Sequence, residues 1–328
     1  MTRKHSIILV RAVGICLILY GVLILAVPVV LPYAVAFSPN HEVGIDVADD
    51  PGRAELDADQ ITRHLRVAVG LPDASLSCFI VDPVRGAEPV GTVLLLHGHR
   101  DNKDELMFVA RELVGIGYRA VLVDLRGHGR SSGDYLSFGV FESNDLVQVL
   151  DTLEGKGLLA GSVGVLGFSF GGATGIQLAA KDLRVRAVAS ISAFHSLRAV
   201  VGDYVDCFLP FVCPFLSEQR IQQAVDRAGE MGGFNPDDAD TEMAARALRV
   251  PLLIIHGEED RRIPVSHAHC LADAAGGESR LVTIPEKGHG NILAGKSKVT
   301  VILEVFNWFG KYLQASEGRA AEGMTEES

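Results

Sequence analysis

From about Leu65 onward the chain repeats one pattern. A short apolar run is followed by a turn rich in Gly, Asp or Pro, and then by a longer stretch whose apolar positions recur every three or four residues. The short runs read as strands, near Leu65–Val69, Leu76–Val81, Thr92–Leu96, Ala120–Asp124, Val163–Phe168, Ala187–Ser192, Pro251–Ile255 and Leu281–Ile284. From Thr92 on they are apolar at successive positions, as expected of parallel strands buried on both faces. The longer stretches read as helices, near Asp104–Val114, Phe141–Leu153, Phe170–Ala180, Val265–Ala275 and Lys298–Leu313. The 328 residues would accommodate two domains, but the alternation runs without a compositional break to Leu313. One mostly parallel sheet flanked by helices is therefore expected.

Two segments break the pattern. Ala12–Leu31 is uncharged and apolar, about the length that crosses a bilayer as a helix. Arg3, Lys4 and Arg11 precede it; Glu42, Asp46, Asp49 and Asp50 follow, with no Lys or Arg until Arg53. That asymmetry predicts a cytoplasmic amino terminus and a single-pass membrane protein with its catalytic domain on the non-cytoplasmic side. Ala34-Val35-Ala36 has the small-x-small form of a cleavage site, so a secreted chain with a removed signal peptide is the alternative. The expected organisation is a stub and anchor at 1–37, a linker at 38–59, a catalytic domain at 60–314 and a small, polar, acidic tail at 315–328 that is expected to be disordered. The second irregular segment, about 193–249, is too long for a simple connection between the sixth and seventh strands. Its first half, Tyr204–Leu216, is unusually apolar. It reads either as an acyl-binding or membrane-touching lid or as the small core of a cap packed on the body.

The candidate chemistry lies at the ends of strands. Gly167-Phe168-Ser169-Phe170-Gly171 joins the strand ending at Phe168 to a stretch of small residues. A serine on such a corner exposes its hydroxyl, although the motif alone is also that of an ordinary Gly-rich turn. Acyl transfer needs a base to take the serine proton and an acid to orient the base. His256-Gly257-Glu258-Glu259-Asp260 and Gly288-His289-Gly290 each follow a strand, where open α/β sheets place their sites. Upstream, His97-Gly98-His99 follows Thr92–Leu96, in a loop that can turn a backbone N–H toward an oxyanion.

Together these motifs resemble the α/β-hydrolase superfamily, in particular its esterase, lipase and serine-aminopeptidase-like group with a His-Gly oxyanion loop. Asp124-Leu125-Arg126-Gly127-His128-Gly129-Arg130-Ser131 resembles that group's loop after the fourth strand, and His256 through Pro264 resembles its H-G-x-x-D-x-x-[IV]-P segment. The resemblance covers about residues 60 to 315 and implies an α/β-hydrolase fold with a small cap inserted after the sixth strand. It implies Ser169 as nucleophile, Asp260 as acid and His289 as base, with the backbone N–H groups of His99 and Phe170 as oxyanion donors. Glu258 and Glu259 stand beside Asp260 as alternative acids. Ser131 and Ser132 are expected to cap or turn their loop, and His97, His128 and His256 to pack within loops.

Composition narrows the function further. No His, Cys, Asp or Glu cluster has metal-ligand spacing and no dinucleotide fingerprint occurs, so neither metal nor cofactor is expected. A net charge of −11 without a basic stripe argues against nucleic acid. Cys207 and Cys213, both in the cap, have a spacing that leaves pairing open. The expected activity is a membrane-tethered serine hydrolase cleaving an ester or thioester of a small or lipid-like substrate through an acyl-enzyme. The alternatives are a serine peptidase of the same fold, for which Asp203, Asp206, Asp237, Asp238 and Asp240 offer carboxylates to a substrate ammonium, and a non-catalytic binding protein on this scaffold. A dehalogenase would need a carboxylate at position 169.

Overall fold

The computed structural model describes residues 3–38, 63–83 and 87–314, with side chains from residue 20 onward. The expected linker beyond Ser38, up to residue 59, and the tail at 315–328 lie outside the described residues.

Eight strands form one sheet in the order β1-β2-β4-β3-β5-β6-β7-β8. They are β1 (Arg63–Val69), β2 (Ala74–Val81), β3 (Gly91–Leu96), β4 (Arg119–Val123), β5 (Ser162–Phe168), β6 (Val185–Ile191), β7 (Leu252–Gly257) and β8 (Ser279–Ile284). β2 runs antiparallel to both β1 and β4, and every other pairing is parallel. This is the α/β-hydrolase fold. The continuous apolar runs follow from burial on both faces. On β3, Leu94 and Leu96 enter one core while Val93 and Leu95 enter the other.

One face is covered by α2 (Met107–Gly115) and α9 (Lys296–Leu313), through Val109, Leu113, Val305 and Phe309. The other is covered by α3 (Val140–Gly155), α4 (Phe170–Lys181) and α8 (Ser266–Ala274), through Leu146, Ile176 and Leu271. Between β6 and β7 the chain leaves the sheet to form α5 (Leu197–Phe208), α6 (Glu218–Gly232) and α7 (Thr241–Ala247). The apolar stretch of this insertion divides: Val205, Val212 and Leu216 are buried, while Phe208, Phe211 and Phe215 are exposed. Cys207 and Cys213 are free thiols, with the Cys213 thiol donating to Asp206 rather than forming a disulfide.

The amino-terminal helix, α1, spans Arg3–Ala36 and packs along α6. Val27, Val35 and Ala36 are buried against the body. Among the described residues no helix is long and apolar enough to cross a membrane. The expected span at 12–31 includes residues 12–19, whose side chains are outside that set. The small-x-small sequence Ala34-Val35-Ala36 lies in the last turn of α1.

Candidate active site

Ser169 stands on the corner between β5 and α4 with φ +53°, in the left-handed region where a non-glycine residue is strained. Its own N–H donates to the Ile191 carbonyl (2.7 Å), which ties the corner to β6. The flanking glycines follow from close backbone approach. A Cβ on Gly167 would stand 2.2 Å from the Gly171 carbonyl oxygen, and one on Gly171 would stand 2.4 Å from that of Leu96. Only hydrogen fits between strand and helix here, and that contact holds the serine on its turn.

His289, in the loop after β8, brings its Nε2 to 3.0 Å from Ser169 Oγ and its Nδ1 to 2.7 Å from Asp260 Oδ2. With the proton on Nδ1 and donated to Asp260, Nε2 is left to accept from the serine hydroxyl. Asp260 follows β7 and is fixed by its other oxygen, which accepts the N–H groups of Arg262 and Ile263, each at 2.9 Å. Burial pushes its carboxyl up, but hydrogen bonds from His256, His289 and Ile263 outweigh that and hold it well below the usual carboxylate range. The neighbouring acids point elsewhere. Glu258 accepts from the Thr283 hydroxyl at 2.8 Å, and Glu259 is exposed. A histidine held this way can take a proton from Ser169 while the carboxylate stabilises the resulting imidazolium.

The other side of the serine is built from the loops after β3 and β4. The His97 ring joins them: Nδ1 donates to the Gly98 carbonyl (2.8 Å) and Nε2 accepts the Leu125 N–H (3.0 Å). Both bonds require the neutral ring, and burial lowers its pKa accordingly. The His99 ring lies 6.3 Å from that of Phe170 and 6.0 Å from that of His128. Phe170 opens α4, so its N–H is among the first-turn donors that have no intrahelical acceptor. Asp124 braces the two loops. It accepts the N–H groups of Lys103 and Arg130, each at 2.8 Å, and forms a buried ion pair with the Lys103 ammonium. Ser131 and Ser132 serve this loop, accepting the backbone N–H groups of Ser77 (2.9 Å) and Ser75 (2.8 Å).

A cavity of about 800 Å³ opens onto Ser169 and His289. Its walls are mainly apolar, with Leu106, Phe108 and Leu293 from the body and Val201, Val205 and Leu209 from the cap. The polar lining includes Arg100, Asp101, Glu105 and Arg262. None of the five cap carboxylates lines the cavity. Asp203 meets His267 (2.7 Å), Asp237 meets Arg198 (2.5 Å), Asp240 caps α7 through the Met243 N–H (2.8 Å), and Asp206 meets Cys213. Asp238 lies beside Asn235.

Two contributions to the site were not legible in the sequence. The first is Tyr204, from α5 of the cap, which lines the same cavity as Ser169. Burial, with Asp260 adding to it, pushes the Tyr204 phenol up to about 12, so it stays protonated. The second is the end of α1, which supplies Leu31, Ala34 and Val35 to the cavity. Neither carries a motif, because both reach the site only by tertiary packing.

Among known proteins, residues 73–207 match the family model for X-Pro dipeptidyl-peptidase (S15 family). The chain is 26% identical to AB hydrolase superfamily protein YisY of Bacillus subtilis, over 66% of this chain and 91% of that protein. It is 22% identical to the monoacylglycerol lipase of Mycolicibacterium smegmatis, over 69% of this chain and 90% of the lipase. The esterase Pf2001 of Pyrococcus furiosus superposes with a TM-score of 0.61 at 19% identity, covering 76% of this chain and 91% of the esterase. With this fold and these relatives, the chain is a serine hydrolase of the α/β-hydrolase fold.

Proposed function

We propose that the protein is a membrane-tethered carboxylic ester hydrolase that prefers medium or longer acyl chains. Ser169 is the nucleophile, His289 the general base and Asp260 the acid that orients it. The backbone N–H groups of His99 and Phe170 stabilise the oxyanion. Ser169 Oγ attacks the acyl carbonyl as its proton passes to His289 Nε2. The tetrahedral intermediate then collapses to an acyl-enzyme as His289 returns the proton to the leaving oxygen, and water, activated by the same histidine, releases the acid.

The observation that carries this reading is the cavity at Ser169, whose mainly apolar walls suit an acyl chain. A monoacylglycerol lipase among the relatives is consistent with it. The peptidase reading keeps one specific support, since Asp101 and Glu105 line the same cavity and could meet a substrate ammonium.

Tethering is supported by the outward face of α1. Val22, Leu25, Val29 and Tyr33, spaced three or four residues apart, are all exposed, where a helix facing water would be polar. The exposed cap phenylalanines continue this surface: Tyr20 on α1 meets Phe215 edge to face at 5.7 Å, and its hydroxyl donates to the Phe211 carbonyl. A contiguous apolar patch of this kind suits a lipid surface. The charge asymmetry around the apolar run supports a catalytic domain on the non-cytoplasmic side.

One experiment tests the chemistry. The full chain is labelled with a fluorophosphonate and assayed on acetyl to decanoyl p-nitrophenyl esters beside aminoacyl amides. Labelling lost in Ser169→Ala, with decanoyl esters hydrolysed faster than acetyl, is the expected result. Labelling that persists in Ser169→Ala removes the assigned nucleophile, and amides hydrolysed in preference to esters select the peptidase. Carbonate extraction and protease protection of membranes test the tether and its orientation.

A further inference from the structure

We propose that the end of α1 is a wall of the acyl-binding cavity and sets the length of chain the site accepts, so the segment that tethers the protein also determines its specificity. The inference rests on the ester-hydrolase reading above and extends it to residues outside the catalytic domain as the sequence divides it. Leu31, Ala34 and Val35 lie at i, i+3 and i+4 on one face of α1, and all three line the cavity that holds Ser169 and His289. Val27, one turn earlier on the same face, is buried against the body.

The helix end is joined to the body by several bonds. The Ala36 carbonyl accepts the Leu136 N–H at 2.9 Å, and the Ser38 N–H donates to the Asp134 carbonyl at 3.0 Å. The Ser38 hydroxyl donates to the Gly133 carbonyl at 2.8 Å, and Phe37 stacks on Tyr135 with centroids 5.3 Å apart. A segment serving only as a leash would make no such bonds to the catalytic body, nor line its cavity. A chain cut after Ala36 would lose all three lining residues. Cap helix α5 lines the same cavity through Val201, Tyr204 and Val205, so tether and cap both border the space for an acyl chain. At about 800 Å³ the cavity is far larger than an acetyl group needs and falls within the range for ligands of drug size, roughly 300–1,000 Å³.

Ala34 gives the direct test, because its small side chain borders open space. In the full chain, Ala34→Trp should cut kcat/KM for decanoyl p-nitrophenyl ester at least tenfold while leaving the acetyl ester within twofold. Leu31→Ala, which widens the same wall, should shift the optimum toward longer chains. Val29→Trp, on the outward face, is the control and should leave the chain-length profile unchanged. A second readout is independent of turnover. In full-length Ser169→Ala, decanoate should displace a bound fluorescent fatty acid, and adding Ala34→Trp should weaken decanoate at least fivefold. Unchanged profiles and unchanged decanoate binding in both Ala34→Trp and Leu31→Ala overturn the inference while leaving the hydrolase reading intact. Decanoate binding that responds to Ala34→Trp in a protein that cleaves none of the esters overturns the hydrolase reading and leaves the wall in place.

Discussion

Replacing Gly171 by alanine should damage the enzyme out of proportion to the single methyl added. The new Cβ would stand 2.4 Å from the Leu96 carbonyl oxygen and 2.6 Å from that of His97, against ordinary contacts of 3.4 Å or more. Both neighbours are backbone atoms at the end of β3, whose strand is paired on both sides, so no side chain can swing away. Relief requires the start of α4 to move off β3 by about 1 Å, and Ser169 and the Phe170 N–H move with it. Overpacking of this kind costs about 1–3 kcal/mol, which in a domain of this size lowers Tm by roughly 2–10 °C. The catalytic loss should lie at the upper end of that energy range, about 10²-fold in kcat or roughly 2.7 kcal/mol, because Ser169 Oγ would leave its 3.0 Å contact with His289 Nε2. Thermal melts and burst kinetics on a p-nitrophenyl ester would measure the two effects. An alanine variant with wild-type turnover and a Tm within a degree of wild type would show that the close approach of α4 to β3 does not position the serine.

Four further outcomes are expected. Asp260→Asn should lower turnover about 10³–10⁴-fold by removing the acceptor that selects the His289 tautomer, whereas Glu259→Gln should cost less than twofold; the reverse ranking in steady-state kinetics would reassign the acid. Stability should fall as pH drops from about 6.5 toward 4, because burial pushes the His99 ring down to about 4 and lowers His97 and His128 as well, so in that window the unfolded chain takes up protons that the folded chain refuses. His99 alone should contribute about 2 kcal/mol of this after allowance for its opening onto the cavity. The loss should be smaller in His128→Asn, and melts showing greater stability at pH 5 than at pH 7.5 would contradict the assignment. Lys103→Met should destabilise the protein by about 3–5 kcal/mol by leaving the Asp124 carboxylate buried and unpaired, and adding Asp124→Asn should recover part of that in denaturant titrations; a single variant within 1 kcal/mol of wild type would show the pair to be dispensable. Phe211→Asp, at a side chain 81% exposed, should leave Tm within about a degree and reduce recovery on lipid vesicles; a large drop in Tm would mean the residue is core.

Much of the molecule was legible in the sequence because its signals are local. The central strand runs are apolar because they are buried on both faces, and burial on both faces leaves no other pattern to read. Gly167, Ser169 and Gly171 announce a strand-to-helix corner because the contacts that forbid a Cβ there are made within a few residues of the turn or by the adjoining strand. Asp260 and His289 were legible as candidates because each follows a strand, Asp260 the buried β7 and His289 the edge strand β8, and strand ends lie together at one edge of a parallel sheet. What the sequence left open depended on direction rather than identity. The residues alone left Asp260 and its two glutamate neighbours open, with only the resemblance favouring Asp260; in the folded loop Asp260 accepts two backbone N–H groups and meets His289, while Glu258 accepts from Thr283. It could not say whether the cap phenylalanines are core or surface, since a thirteen-residue apolar stretch fits both, and packing buries Val205, Val212 and Leu216 while leaving the rings outside. Least legible were Tyr204 and the end of α1, separated from Ser169 by 35 and more than 130 residues of chain respectively. No periodicity or motif encodes such contacts, because what brings them to the serine is the docking of one helix and one cap on the same face of the sheet, a property of the packed chain alone.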